Sequence, residues 1–178
     1  MAPKLLSALA SCSRALQPST QIRMPQYKSS KLPIEVRNSP IHGAGAFASR
    51  NLKGGQVIGE YAGRPYSAED VSTRDWDYAV TFVFGLSDGS VLDGAEGGNA
   101  TRHINHSCAP NCVAYEIEAE AGANFIQIEA LRRIPAGEEL FLDYGLDAGN
   151  GVPEDFPCRC GATDCRGSLV AADAHTVG

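Results

Sequence analysis

The chain has 178 residues, 43% of them hydrophobic and 20% charged, with a formal net charge of −6 at pH 7. That length accommodates one domain with a real hydrophobic core and argues against a second full one. The acidic excess is a poor match to nucleic acid, whose binding leans on basic patches, and suits a basic peptide; no apolar run reaches the roughly 18 residues of a membrane span.

The charge is unevenly spread. Residues 1–33 contain Lys4, Arg14, Arg23, Lys28 and Lys31, and no Asp or Glu. Met1 to Gln17 is rich in Ser and Ala, which loosely resembles a transit peptide, but Ser7, Ser11, Cys12 and Ser13 break its apolar stretch, so it does not read as a secretory signal. Residues 1–32 are expected to form a flexible tail.

Order is expected from Pro33, where Ile34 and Val36 alternate with Glu35 and Arg37 as in a strand. His42 to Ala48 contains G-x-G-x-x-A, nominally a dinucleotide fingerprint. That fingerprint needs a strand before it and a helix after it. Here Asn38-Ser39-Pro40 precedes it and Asn51 and Gly54-Gly55 follow, so a glycine turn that lets backbone approach a ligand is the better reading. Gln56–Tyr61 is a second strand. Ser67 to Asp70 has the spacing of a capping box opening a short helix.

Tyr78–Phe84 (YAVTFVF) is the strongest strand in the chain, and Asp88-Gly89 reads as a hairpin turn into Ser90–Asp93. Arg102–Asn111 (RHINHSCAPN) packs polar groups densely between apolar strands, a pattern of sites more than of surface loops. Val113–Glu118 and Asn124–Leu131 form a further hairpin with Ala121-Gly122 near its tip. Pro135-Ala136-Gly137 makes a turn into a short strand, Glu138–Leu142, and Tyr144 stands at its end. With 19 glycines, 10 prolines and no long 3.6-residue pattern, the fold class is mainly β, several short strands with little helix.

Six cysteines are present: Cys12, Cys108, Cys112, Cys158, Cys160 and Cys165. Cys158, Cys160 and Cys165 form C-x-C-x4-C. In a chain with no secretory signal, such crowding favours metal over disulfides. Tetrahedral zinc takes four ligands. The fourth has to come from elsewhere, with Cys108 and Cys112 as thiol candidates and His103 and His106 as imidazole ones. Metal would supply the energy to order a segment too short for a core of its own.

Taken together and in order, HGAGAF, RHINHSCAPN, GEELFLDYG and CRCGATDCRG resemble the SET-domain protein-lysine methyltransferases over about Ile34 to Leu169. The resemblance implies a fold of several small sheets with a pseudoknot-like C-terminal threading and a zinc-bound post-SET tail. It divides the chain into a tail (1–32), a SET domain (33–147), a post-SET segment (148–170) and a C-terminal tail (171–178). No cysteine-rich segment precedes the domain, so no pre-SET module is expected.

The activity implied is transfer of a methyl group from S-adenosylmethionine to a lysine ε-amine on a basic protein segment, such as a histone or histone-like protein, without direct nucleic-acid or membrane binding. The implied location is intracellular, cytoplasmic or chromosome-associated. Cofactor binding falls on His42, Gly43, Ala44, Asn105, His106 and Tyr144. Zn2+ falls on Cys108, Cys158, Cys160 and Cys165, which leaves Cys112 outside the site. Tyr144 is the implied catalytic tyrosine. A second tyrosine of the family falls on the strand before the central motif, where by spacing either Tyr78 or Phe82 stands; Tyr78 is favoured because only it has a hydroxyl. Tyr61 matches a common family tyrosine.

Two positions depart from the family pattern: Leu142 replaces a frequent aromatic two residues before Tyr144, and Arg64 replaces an acid. A catalytically inactive SET-like module that only binds peptide is the alternative; intact Asn105, His106 and Tyr144 argue against it.

Overall fold

A computed structural model describes residues 32–74, 82–118, 124–148 and 151–171. The expected tail at residues 1–31, Tyr78 and most of its strand, the hairpin tip at Ala121-Gly122, and residues 172–178 lie outside the described residues.

Strand β1 (Ile34–Asn38) pairs antiparallel with β2 (Ala44–Ala48), from Ile34 opposite Ala48 to Asn38 opposite Ala44. The expected glycine turn therefore covers only the start of its segment. Gly43 turns the chain with φ 48°, and the small residues after it become a strand. Small side chains let β2 lie close to the body, where Ala46 and Ala48 are buried. Its second edge bonds to the region after Pro135, with Ala48 N donating to Glu138 O and Leu140 N donating to Ala46 O.

β3 (Val57–Glu60), β9 (Phe125–Ala130) and β8 (Cys112–Ile117) form one antiparallel sheet with β9 in the middle. Along β9 the side chains alternate, and Ile126, Ile128 and Ala130 point inward and are buried. Each isoleucine contributes roughly 2–3 kcal/mol by leaving water. Leu52, Ile58, Ile134 and Leu140 complete the centre of the core. Cys112, fully buried, is part of this core rather than of any polar cluster.

A second antiparallel sheet orders β4 (Arg64–Tyr66), β6 (Val91–Asp93) and β5 (Val83–Gly85). The β5–β6 turn is the expected one: Gly89 has φ 84° and the Asp88 carboxylate accepts from Ser90 N at 2.9 Å. Between β4 and β5, helix α1 (Ala68–Thr73) opens on the capping box, with Asp70 N donating to Ser67 Oγ and Ser67 N donating to the Asp70 carboxylate.

The expected strand Glu138–Leu142 is divided. Residues 138–140 bond along β2, and only Phe141–Leu142 forms a strand (β10), which pairs parallel with β7 (Asn105–His106). One segment serves two partners, and changing partner interrupts the ladder. This division brings the central motif against the strand that leads to Tyr144. Among the described residues no helix is long and apolar enough to cross a membrane.

Candidate functional site

The site assembles where β7, β10 and the β1–β2 turn meet. The side-chain amide nitrogen of Asn105 lies 3.3 Å from His42 O, 3.3 Å from Ala44 O and 2.9 Å from Glu139 Oε1. Three acceptors around one atom fix it as the donating NH2 group, so the amide carbonyl faces away from them. Glu139 is buried, and its second oxygen accepts from Ser39 Oγ at 3.0 Å. The carboxylate can stand there only because residue 45 has no side chain: a Cβ on Gly45 would lie 2.2 Å from Glu139 Oε1. Three of the expected cofactor residues, His42, Ala44 and Asn105, are thus joined directly. Gly43, exposed between them, supplies the turn.

His106 is buried and its ring is spent inside the protein. Nδ1 accepts from Tyr144 N at 3.1 Å, and Nε2 lies 3.4 Å from Cys108 Sγ. Accepting at Nδ1 leaves the proton on Nε2, directed at sulfur. Burial, helped by the Arg166 charge and opposed by Asp143, pushes His106 down to about 4, so the imidazole is neutral. Both ring nitrogens are engaged within the protein, and the ring joins Tyr144 to the cysteine cluster.

Tyr144 packs edge-on against the His106 ring, 5.4 Å between centroids, and its hydroxyl donates to Ile104 O at 2.9 Å. Burial pushes that hydroxyl up to about 12. The ring packs against the hydrophobic core, to which the buried Ile104 and Leu142 belong. Tyr61, also buried, donates to Phe82 O at 2.6 Å, and its hydroxyl is raised by burial and then by the neighbouring Tyr144. A Cβ on Gly94 would lie 2.5 Å from that hydroxyl. Two tyrosine hydroxyls thus sense each other, each tied to a main-chain carbonyl. Phe82 packs edge-on against His103 with the Arg102 guanidinium 5.4 Å from its ring. Tyr78 lies outside the described residues.

The sulfurs of Cys108, Cys158, Cys160 and Cys165 all lie within 4.8 Å of one another. Cys108 Sγ is 3.7 Å from that of Cys158 and 3.9 Å from that of Cys165, too far for disulfides. Tetrahedral zinc with Zn–S bonds of about 2.3 Å needs sulfurs about 3.8 Å apart. Main-chain NH groups of Cys108, Cys160 and Gly167 point at cluster sulfurs at 3.4–3.5 Å. Burial pushes Cys158 up to about 12, whereas at Cys160 burial is outweighed by the NH groups of Cys108 and Ala162 and the neighbouring thiols, which draw it down to about 6. Of the four candidates for the remaining ligand position, only Cys108 joins the cluster; Cys112 lies in the core and burial pushes its thiol up to about 12.

Four residues that the motifs did not assign hold this arrangement. Besides Glu139 these are Asn111, Asp143 and Arg166. Asn111 is fully buried; its NH2 donates to Glu139 O and the Glu138 carboxylate, and its carbonyl accepts from Phe141 N at 2.8 Å. It pins the point where the chain leaves β2 for β7. Asp143 and Arg166 form a bidentate pair at 2.6 and 2.7 Å. A buried acid inside GEELF was the one signal available for Glu139.

Residues 43–145 match the family model described as SET domain. Over 158 residues the chain is 35% identical to "Histone-lysine N-methyltransferase, H3 lysine-4 specific" of Neurospora crassa, covering 86% of this chain and 12% of that protein. Over 146 residues it is 41% identical to human "Histone-lysine N-methyltransferase 2B", covering 78% of this chain and 5% of that protein. The chain therefore spans a small part of the length of these relatives. A solved structure described as "ctPRC2 in an autoinhibited conformation bound to S-adenosylmethionine" superposes with a TM-score of 0.58 at 28% identity, over 65% of this chain and 15% of that one.

Proposed function

The chain belongs to the SET-domain family, and on that premise we propose that it is an S-adenosylmethionine-dependent protein-lysine N-methyltransferase acting on a basic histone or histone-like tail. The observation that carries this reading is Tyr144: a hydroxyl held protonated, tied to Ile104 O, packed against the hydrophobic core and following the strand that pairs with Asn105 and His106. The names of the relatives support histone H3 as the first substrate to test and lysine 4 as its first position.

S-adenosylmethionine, when bound, supplies a methyl group on a positively charged sulfur. The residues present suit it. Asn105 turns its NH2 inward, which leaves its carbonyl for a donor such as an amine or ammonium, and the His42–Ala44 turn offers main chain close by. A substrate lysine has a reference pKa near 10.4, so on the order of one in a thousand is neutral at pH 7. The apolar surroundings of Tyr144 favour that neutral form by withholding water. Because the Tyr144 hydroxyl donates to Ile104 O, its oxygen presents lone pairs, which accept an N–H of the amine and aim the nitrogen lone pair. A hydroxyl raised to about 12 stays protonated at neutral pH. Tyr144 therefore orients the amine, and water removes the proton.

Zn2+ suits the four cysteine sulfurs by number, type and spacing. It would be held by Cys108, Cys158, Cys160 and Cys165, and its role is to order residues 148–170. The intact Asn105 turn and Tyr144 speak against a module that only binds peptide. Transfer of labelled methyl from S-adenosylmethionine to a histone H3 peptide and to whole-cell protein tests the reading, with Tyr144→Phe as control. Transfer that falls by about a hundredfold or more in the variant is expected. A chain that binds the cofactor and methylates nothing would belong to the binding-module class instead.

A further inference from the structure

Arg166 follows Cys165 directly, and its side chain, only 22% exposed, turns to Asp143. Its fork meets the Asp143 carboxylate twice, Nη1 to Oδ2 at 2.7 Å and Nη2 to Oδ1 at 2.6 Å. Nε donates to Val170 O at 2.7 Å and Nη2 reaches Leu169 O at 3.3 Å. All three nitrogens are engaged, two on the body of the domain and the rest on the returning tail. The same tail runs beside Leu146, which donates to Leu169 O at 3.0 Å and accepts from Ala171 N at 3.0 Å.

Asp143 is the residue before Tyr144. Its Oδ1 also accepts from Gly145 N at 3.0 Å, so the carboxylate bridges over Tyr144 from one side of it to the other. That oxygen lies 3.6 Å from His106 Nδ1, the atom that accepts from Tyr144 N. Two acceptors face each other there. Arg166 occupies the carboxylate, and His106 Nδ1 stays with the Tyr144 amide.

We infer that Arg166 is a positioning residue for methyl transfer: through Asp143 it fixes the main-chain elbow that carries Tyr144, and so conveys the order of the cysteine-rich segment to the reacting amine. This rests on the methyltransferase reading for its kinetic part only. A planar guanidinium can make this bidentate contact and the Val170 contact together; a lysine ammonium cannot make both.

The test uses the full chain with Arg166→Met, Arg166→Lys and Asp143→Asn. Metal per chain, hydrogen exchange at the Tyr144 amide, and kcat and KM for a histone H3 peptide are measured in each. Expected are unchanged metal content, faster Tyr144 amide exchange, and a kcat lower by about tenfold to a hundredfold with KM within about threefold. Arg166→Lys should recover only part. Asp143→Asn, which lies outside the cysteine segment, should reproduce the effect even if Arg166→Met disturbs that segment. Unchanged Tyr144 exchange in Asp143→Asn overturns the inference, as does a kcat loss that tracks metal loss across the series. The exchange readout needs no turnover, so an inactive wild-type chain with the expected exchange changes would count against the methyltransferase reading and not against the Arg166 link.

Discussion

Glu139 occupies the space that a side chain on residue 45 would need, its Oε1 lying 2.2 Å from where a Cβ on Gly45 would stand. The same oxygen accepts from Asn105. Gly45→Ala is therefore expected to push the carboxylate off Asn105 without unfolding the β1–β2 hairpin. Disturbing one buried hydrogen bond to a carboxylate costs about 1–3 kcal/mol, and passed on in full to cofactor binding it would weaken the S-adenosylmethionine Kd by about fivefold to 150-fold. Calorimetry of cofactor binding measures it. Affinity equal to wild type would mean that the Asn105 amide does not depend on Glu139.

Cysteines 112 and 160 should behave oppositely. Cys112 packs in the core and Cys160 in the sulfur cluster. Wild type is expected to hold about one metal per chain, and Cys160→Ser to lose it together with activity. Cys112→Ala should keep the metal and lose about 1–2 kcal/mol of stability through the space left behind. Elemental analysis beside denaturant unfolding separates the two. Metal loss in Cys112→Ala would contradict the assignment.

Asn111 links Phe141 N, Glu139 O and the Glu138 carboxylate from a fully buried position. Asn111→Ala leaves an NH and a carbonyl without their partner, and about 3 kcal/mol of stability should be lost. Asn111→Asp should do worse, because it sets an oxygen against two acceptors. Urea unfolding midpoints give the order. A milder effect for aspartate would show that the site relaxes around a changed donor.

The pH profile follows from the two groups that the proposed reaction brings together, the substrate amine and the Tyr144 hydroxyl. The substrate lysine gains its neutral form as pH rises toward about 10.4, so kcat/KM should climb about tenfold per unit from pH 7 to 9. Tyr144 is pushed up to about 12 by burial and stays a donor throughout that range. Its folded value lies above the ordinary tyrosine value, so no loss of function from its ionisation appears below about pH 10. A plateau near pH 8 that disappears in Tyr144→Phe would instead make Tyr144 the titrating base.

Much of the local structure was legible in the sequence. The alternation around Ile34, the Ser67–Asp70 cap and the Asp88-Gly89 turn are local signals, and each is found where expected. The cysteine spacing pointed to a metal-type cluster, and the family resemblance singled out Cys108 among four possible partners. What was illegible depends on distant pairs. AGAFA reads as a turn until its partners are known, and Glu138–Leu142 reads as one strand because nothing local reveals that it has two neighbours. Glu139 finds Ser39 across 100 positions, and Arg166 finds Asp143 across 23. No periodicity encodes such pairs. His106 is the converse case: its place in the motif was plain, but its two ring nitrogens proved to serve Tyr144 and Cys108.

The sulfur cluster joins Cys108 to partners 50 and 57 residues further along. A ribosome delivers Cys108 well before Cys165, and closing a loop of that size is a late, entropically costly event in folding. During synthesis, then, the strand bearing Tyr144 emerges before the arginine that clasps it. A nascent or prematurely terminated polypeptide can hold every residue through Tyr144 and still lack that clasp. The Asp143–Arg166 contact therefore closes only once translation has passed Arg166.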